Sequence, residues 1–272
     1  MEPADILARA HHARQAQIAL DSTRAVRRRL QGVDLRDKRD LGGAVGALVP
    51  TLLQQRAASA RLAQDYFREG RALAGVGARG IPETGADAGD AEDRIRSSLW
   101  ILARGRMRDE RFRDESEEAF ERAYEQARER ATREMVGASV RHTLNGGREA
   151  IRLLSGADDR VQGWVRVTSQ DARVCAFCAM LASREDYKGA SFKASDVRFK
   201  MGGNPMADAK VHDSCRCSLR PVFYGQGTPE HTRAAQRLWY DLSEGDGRDA
   251  WLSFRRNYQA MMKQKATTWA AA

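Results

Sequence analysis

All four cysteines of this 272-residue chain fall between positions 175 and 217, and they fall there in two tight pairs. Cys175 and Cys178 form C-x2-C, and Cys215 and Cys217 close the run Val211-His212-Asp213-Ser214-Cys215-Arg216-Cys217. Thiolates are the ligands that soft metals favour, and C-x2-C lets one tight turn aim two sulfurs at one ion. His212 brings the candidate donors to five. A structural site takes four, so one of the five must lie outside the ligand set. A short segment that draws two distant pairs around one ion takes much of its stability from that ion, which limits what it can fold into.

Other uses of the cysteines fit less well. Four thiols buried merely as small apolar residues would not sort into two pairs beside a histidine. Disulfides need an oxidising compartment. The start, Met1-Glu2-Pro3-Ala4-Asp5, has neither the basic segment nor the apolar core of a secretory signal, so the reducing cytosol is the expected compartment. A redox C-x2-C would sit in a thioredoxin-like βαβ pattern, and none is visible. Structural zinc is therefore the favoured reading, ahead of a disulfide, a redox site or a catalytic metal.

No apolar run approaches the ~20 residues needed to span a bilayer, so a soluble chain without a membrane partner is expected. The net charge is +9, with 31% of residues charged. That balance favours anionic partners, nucleic acid foremost; the plainer alternative is an arginine-rich solvated surface.

The chain reads as mainly α: a long N-terminal helical region, a small α+β zinc-binding module and C-terminal helices. The expected divisions are residues 1–74 (helical), 75–90 (Gly-rich linker), 91–160 (helical), 161–228 (module) and 229–272 (C-terminal helices). Ile6 to Leu30 is rich in good helix formers. Leu41-Gly42-Gly43 and Pro50 predict a break and a fresh start, with a stripe at Leu53, Ala57, Ala60, Ala63 and Phe67. A later helix carries Phe120, Ala123, Ala127, Ala131 and Met135. Its small residues suit close contact within the chain or between copies. Asn145-Gly146-Gly147 predicts its end, with a further short helix over Arg148 to Leu154. From Gly163 the pattern changes. Trp164 to Thr168 alternates like a strand, and Leu219 to Tyr224 reads as a second one, at an edge or bulge because of Pro221. The tail is helical around Gly245-Asp246-Gly247. Its Trp239, Trp251, Phe254 and Tyr258 either cover the fold or, with Arg255-Arg256, stack on nucleic acid.

One set of residues resembles a known family: Gly163-Trp-Val-Arg-Val-Thr168, Asp171-x-Arg-Val-Cys175-x2-Cys178-Ala-Met-Leu-Ala182, Val211-His212-Asp-x-Cys215-Arg-Cys217 and Pro221-Val-Phe223. Together they resemble the MuF-like minor head proteins of tailed phages, in the form found in actinobacterial phages and prophages. Leu144-Asn-Gly-Gly-Arg148 and Leu238-Trp239 … Asp249-Ala250 … Phe254-Arg-Arg256 resemble the same group. The resemblance implies a structural component of the phage head, associated with portal, capsid and scaffold proteins in assembly, DNA packaging or ejection. It implies a location in the head interior after assembly in the host cytoplasm, or the host cytoplasm for a prophage. It carries the hallmark positions onto Cys175, Cys178, His212, Cys215 and Cys217. Members are often labelled capsid maturation protease.

The residues themselves offer little for a protease. There is no G-x-S-x-G and no H-E-x-x-H. His142 and His231 stand alone in helical contexts, and a Cys215–His212 pair would leave three cysteines without a purpose. Cys175, Cys178 and Cys215 are the favoured ligands, with His212 or Cys217 as the fourth. Arg173 and Arg216 are candidates to offset thiolate charge. Lys193, Arg198, Lys200, Arg216 and Arg220 are candidate contacts to DNA or an acidic partner. The N-terminal helices are candidates for partner binding and for a homo-oligomer. Two alternatives remain open, a capsid maturation protease and a DNA-binding module.

Overall fold

The computed structural model describes residues 2–77, 88–107, 116–168, 174–183, 185–187 and 215–270. The architecture is mainly helical with one small sheet, as the sequence leads one to expect. Four helices form a bundle: α1 (Pro3–Leu30), α2 (Lys38–Leu73), α3 (Ala88–Met107) and α4 (Glu117–Ala157). α2 and α4 make the central pair, and α1 and α3 each pack against both. Gln15 meets Ser59 while Ser22 meets Gln55, so α1 runs antiparallel to α2. Asp37 caps α2 by accepting from the backbone N–H groups of Arg39 and Asp40, and Ser116 caps α4. Val26, Leu41, Leu52, Leu99 and Met135 are fully buried in the bundle core.

Two expected helix breaks are absent. α2 runs unbroken through Gly42, Gly43 and Pro50. Pro50 lies on the solvent side, where the carbonyl left without a helical donor can be hydrated. α4 runs unbroken through Asn145-Gly146-Gly147, so Arg148 to Leu154 is its continuation and no separate helix. The glycines are there for close approach. A Cβ on Gly146 would sit on the Arg56 carbonyl oxygen, and one on Gly147 would come within 2.6 Å of the Gln15 amide nitrogen. Ser59 accepts from the Gly147 N–H at 3.0 Å and donates to the Gln15 amide oxygen at 2.7 Å, stitching α1, α2 and α4 together at that crossing.

The stripes also shift. On α2 the buried face includes Arg56, Ser59 and Tyr66 beside Ala60, Ala63 and Phe67, whereas Leu53 and Ala57 are half-buried. On α4 only Ala131 and Met135 of the expected stripe are buried. Phe120 and Tyr124 are half-exposed, and the Arg36 guanidinium lies over both rings, 4.1 Å from the Tyr124 centroid.

The sheet has three antiparallel strands in the order β2-β1-β3: β1 (Val161–Val167), β2 (Glu185–Tyr187) and β3 (Ser218–Phe223). Pro221 sits on the edge strand β3 opposite Trp164, close to a register shift between Val161 and Gly163. Phe223 packs on Phe67 with ring centroids 5.7 Å apart, which seats β3 on α2. α5 (Ala176–Ala182), α6 (Glu230–Leu242) and α7 (Gly247–Ala270) close the structure. Gly245 and Gly247 turn between α6 and α7 with φ of 74° and 55°. Phe254 is fully buried among Trp239, Trp251 and Tyr258, so the tail aromatics are core. Among the described residues no helix is long and apolar enough to cross a membrane.

Candidate metal centre

The two cysteine pairs meet. Cys175 is the N-cap of α5, and its sulfur accepts from the Cys178 N–H at 3.3 Å. That local turn aims both sulfurs of C-x2-C the same way. Cys215 and Cys217 lie just before β3, whose pairing with β1 brings them to α5. The sulfurs of Cys178 and Cys215 are 3.4 Å apart, and those of Cys178, Cys215 and Cys217 all lie within 4.8 Å of one another. Cys178 also interacts with the Cys175 sulfur. Around a tetrahedral zinc with Zn–S of about 2.3 Å, neighbouring sulfurs stand about 3.8 Å apart. The three buried cysteines are thus close enough to hold a metal ion with only slight adjustment. Three of the four thiols are 4% exposed or less, which favours a closed site.

Two buried arginines flank the sulfurs, and neither was singled out from the sequence. Arg148 of α4 donates through Nε to the Cys217 carbonyl at 2.9 Å and through Nη2 to the Cys215 carbonyl at 2.9 Å. The same Nη2 is 3.6 Å from the Cys215 sulfur, and Nη1 reaches the Asn145 side-chain oxygen at 2.8 Å. Arg166 of β1 bonds the Cys217 sulfur, while its Nη1 is buried without a hydrogen-bond partner. No carboxylate pairs with either guanidinium among the described residues. Burial works against the Arg166 charge, yet the sulfurs of Cys217, Cys215 and Cys178 outweigh it and raise its pKa. Hydrogen bonds from the Cys178 and Cys217 thiols hold Cys215 well below the usual thiol range, with Arg148 and Arg166 adding to the effect. Cys178 is pushed up by its hydrogen bonds to Cys175, Cys215 and Cys217. Arg148 was visible only as the start of an expected short helix and as the last residue of the family-like Leu144-Asn-Gly-Gly-Arg148 stretch; nothing local marks it as reaching across the fold.

Other expected site residues fare differently. His212, Arg173, Lys193, Arg198 and Lys200 lie outside the described residues. Arg216 is half-buried between the two cysteines. Arg220 is a correction: it is 4% exposed and paired with Asp5, so it joins β3 to the start of α1 and presents no charge to a partner. His142 and His231 are interior. His142 shares a hydrogen bond with Ser98 at 2.9 Å, tying α4 to α3, and burial pulls its pKa down to about 3. Burial likewise lowers His231 to about 4. A cavity of about 770 Å³ beside α6 mixes Glu2, Asp5 and Glu230 with Arg9, His231 and Arg233, a lining that selects no single ligand charge.

No curated protein and no solved structure matches the chain. The VG15 protein family matches residues 3–242. That match takes in the bundle, the cysteine cluster and α6, so the chain belongs to the VG15 protein family, which points to a phage-encoded protein.

Proposed function

We propose that this chain is a MuF-like minor component of a phage head, in which Cys175, Cys178, Cys215 and Cys217 hold one structural zinc ion. The observation that carries the metal assignment is a charge match. Four thiolates with Zn²⁺ bear a net −2, and Arg148 and Arg166 are two buried cations without a carboxylate partner among the described residues. Three thiolates with His212 would bear −1 and leave one buried positive charge uncompensated, which is costly in a dry site. The charge match therefore favours Cys217 over His212 as the fourth ligand. A closed four-sulfur site leaves no position for water or substrate, so the ion's role is to cross-link α5 to β3.

The capsid maturation protease alternative draws less support. A cysteine nucleophile must be reachable, and Cys215 is 1% exposed among other sulfurs. Ser98 and His142 do share a hydrogen bond, but among the described residues no carboxylate bonds that imidazole, and the pair lies between two packed helices. A role at the portal or in the head interior rests on family membership and on the residues resembling MuF-like proteins. Cobalt substitution tests the site. Ligand-field and thiolate charge-transfer bands typical of tetrahedral S4, with all four thiols protected from alkylation, are expected. A three-sulfur, one-nitrogen spectrum with Cys217 readily alkylated would rule the four-cysteine site out. Particle composition tests the biology: purified phage heads should contain the chain in a few copies, and heads lacking it throughout assembly would refute the assignment.

A further inference from the structure

The outer face of α1 carries a larger excess of arginine than that of α4. α1 holds six arginines, at positions 9, 14, 24, 27, 28 and 29, against two aspartates. One of those, Asp5, is already paired with Arg220, and the other, Asp21, pairs with Arg24. α4, by contrast, holds seven arginines and seven glutamates, several of them joined in ion pairs along its surface. The buried positions of α1 are Ala8, His11, Gln15, Ala19, Ser22, Val26 and Leu30. At 3.6 residues per turn, Arg9, Arg14, Arg27 and Arg28 fall on the opposite side, and all four are exposed. None of them has an ion-pair partner among the described residues. Cations in the last turn favour the helix dipole, which explains Arg27 to Arg29 in part. That effect fades within one turn and does not reach Arg9 or Arg14.

We infer that this face of α1 is a docking surface for the phosphate backbone of duplex DNA, read without regard to sequence. Arg9 to Arg28 spans about 29 Å of helix axis, comparable to one turn of B-form duplex at about 34 Å. Guanidinium groups suit phosphate oxygens because they donate as a planar fork. The face carries no unpaired acidic side chain between Arg9 and Arg28, so it does not repel a polyanion. This surface is made of other residues than Lys193, Arg198 and Lys200, and it is independent of the metal site.

The test is binding of the full, metal-loaded chain to a fluorescent 30-base-pair duplex of arbitrary sequence, between 50 and 200 mM salt. One variant carries R9Q, R14Q, R27Q and R28Q. A control removes the same charge from ion-paired positions on α3 and α4, with R94Q, R96Q, R122Q and R128Q. A third variant, R27Q/R28Q, halves the change, and thermal melts confirm that all are folded. The expected result is affinity that falls steeply with salt, a log–log slope reduced by about 3.6 in the α1 variant, by about half of that in R27Q/R28Q, and little changed in the control. Absent or salt-insensitive binding by the parent overturns the inference. So does an α1 variant that binds like the parent, or a control that loses as much as the α1 variant, which would mean net charge alone. A glutamate-rich peptide that displaces the duplex at lower concentration than competitor DNA also overturns it, by naming a protein partner. Because the metal remains bound throughout, a negative result leaves the cysteine site standing, and loss of the metal assignment leaves this surface standing.

Discussion

The Nη2 of Arg148 donates to the Cys215 carbonyl oxygen at 2.9 Å, so the longest helix of the bundle holds the candidate metal-binding turn directly. Nε of the same side chain holds the Cys217 carbonyl, which makes one guanidinium the brace for both residues of the second cysteine pair. Removing it strands two buried acceptors and leaves thiolate charge unmatched. Arg148→Ala is expected to cost about 3 kcal/mol of stability and at least tenfold in metal affinity. Chemical denaturation and competition with a chromogenic chelator measure the two effects. Unchanged metal retention would show that the brace is dispensable.

Stripping the metal should unfold the protein unevenly. The distal bundle core around Val26, Leu52, Leu99 and Met135 forms an apolar cluster separate from that of the sulfurs. Among the described residues, the apolar cluster at the cysteines holds little beyond the thiols and Val174. Chelation is expected to remove amide protection at residues 174–183 and 215–223 first, while the 41–53 and 95–103 segments stay protected. Hydrogen exchange by mass spectrometry reads this pattern. Loss of protection everywhere at once would mean that the bundle depends on the ion.

A glycine at the helix crossing and an outwardly similar one on α2 predict opposite behaviour. Gly146→Ala places a methyl against the Arg56 backbone, which cannot yield without moving α2, and is expected to cost about 2–3 kcal/mol. Gly43 is also inside a helix, but a Cβ there meets nothing within 4 Å. Gly43→Ala is expected to stabilise by up to about 1 kcal/mol through helix propensity. Thermal melts of the two variants side by side distinguish the roles.

Buried histidines give the fold an acid limit. His11 stacks on Tyr66 at 4.2 Å, and burial, aided by His12 and Arg14, lowers its pKa from 6.5 to about 3. His142 is lowered to the same level, again chiefly by burial. Folding therefore favours the neutral rings. Their contribution is complete above pH 6.5 and is withdrawn as pH falls toward about 3, because the unfolded chain takes up the protons first. Between pH 6 and 4 each histidine is expected to steepen the loss by up to about 1.4 kcal/mol per pH unit. His142→Gln should flatten the stability–pH curve by one such step while the metal-dependent part stays the same. An unaltered slope would mean that this ring is already solvated in the native state.

Local patterns were a good guide where the deciding physics is local. The turn at Cys175 and Cys178, the strand around Trp164, the edge placement of Pro221 and the turn at Gly245 to Gly247 each depend on a few neighbouring residues. The same local logic misjudged Gly42-Gly43, Pro50 and Asn145-Gly146-Gly147. Helices of 36 and 41 residues are carried through such points by tertiary packing that outweighs the propensity loss. It also placed Arg220 on the surface, since nothing near β3 shows that Asp5, more than two hundred residues earlier, pairs with it.

Taken alone, the order of residues settled that the chain is chiefly helical and that its thiols come in two pairs with metal-ligand spacing, because periodicity and short spacings act within a turn or two of backbone. That the pairs converge, that Arg148 and Arg166 supply their counter-charge and that Gly146 and Gly147 serve as a helix crossing were decided only by the tertiary structure. Those relationships join residues far apart in the chain, and they exist only once burial has brought α4, β1 and β3 together in a medium where an unmatched charge or an extra methyl group cannot be accommodated.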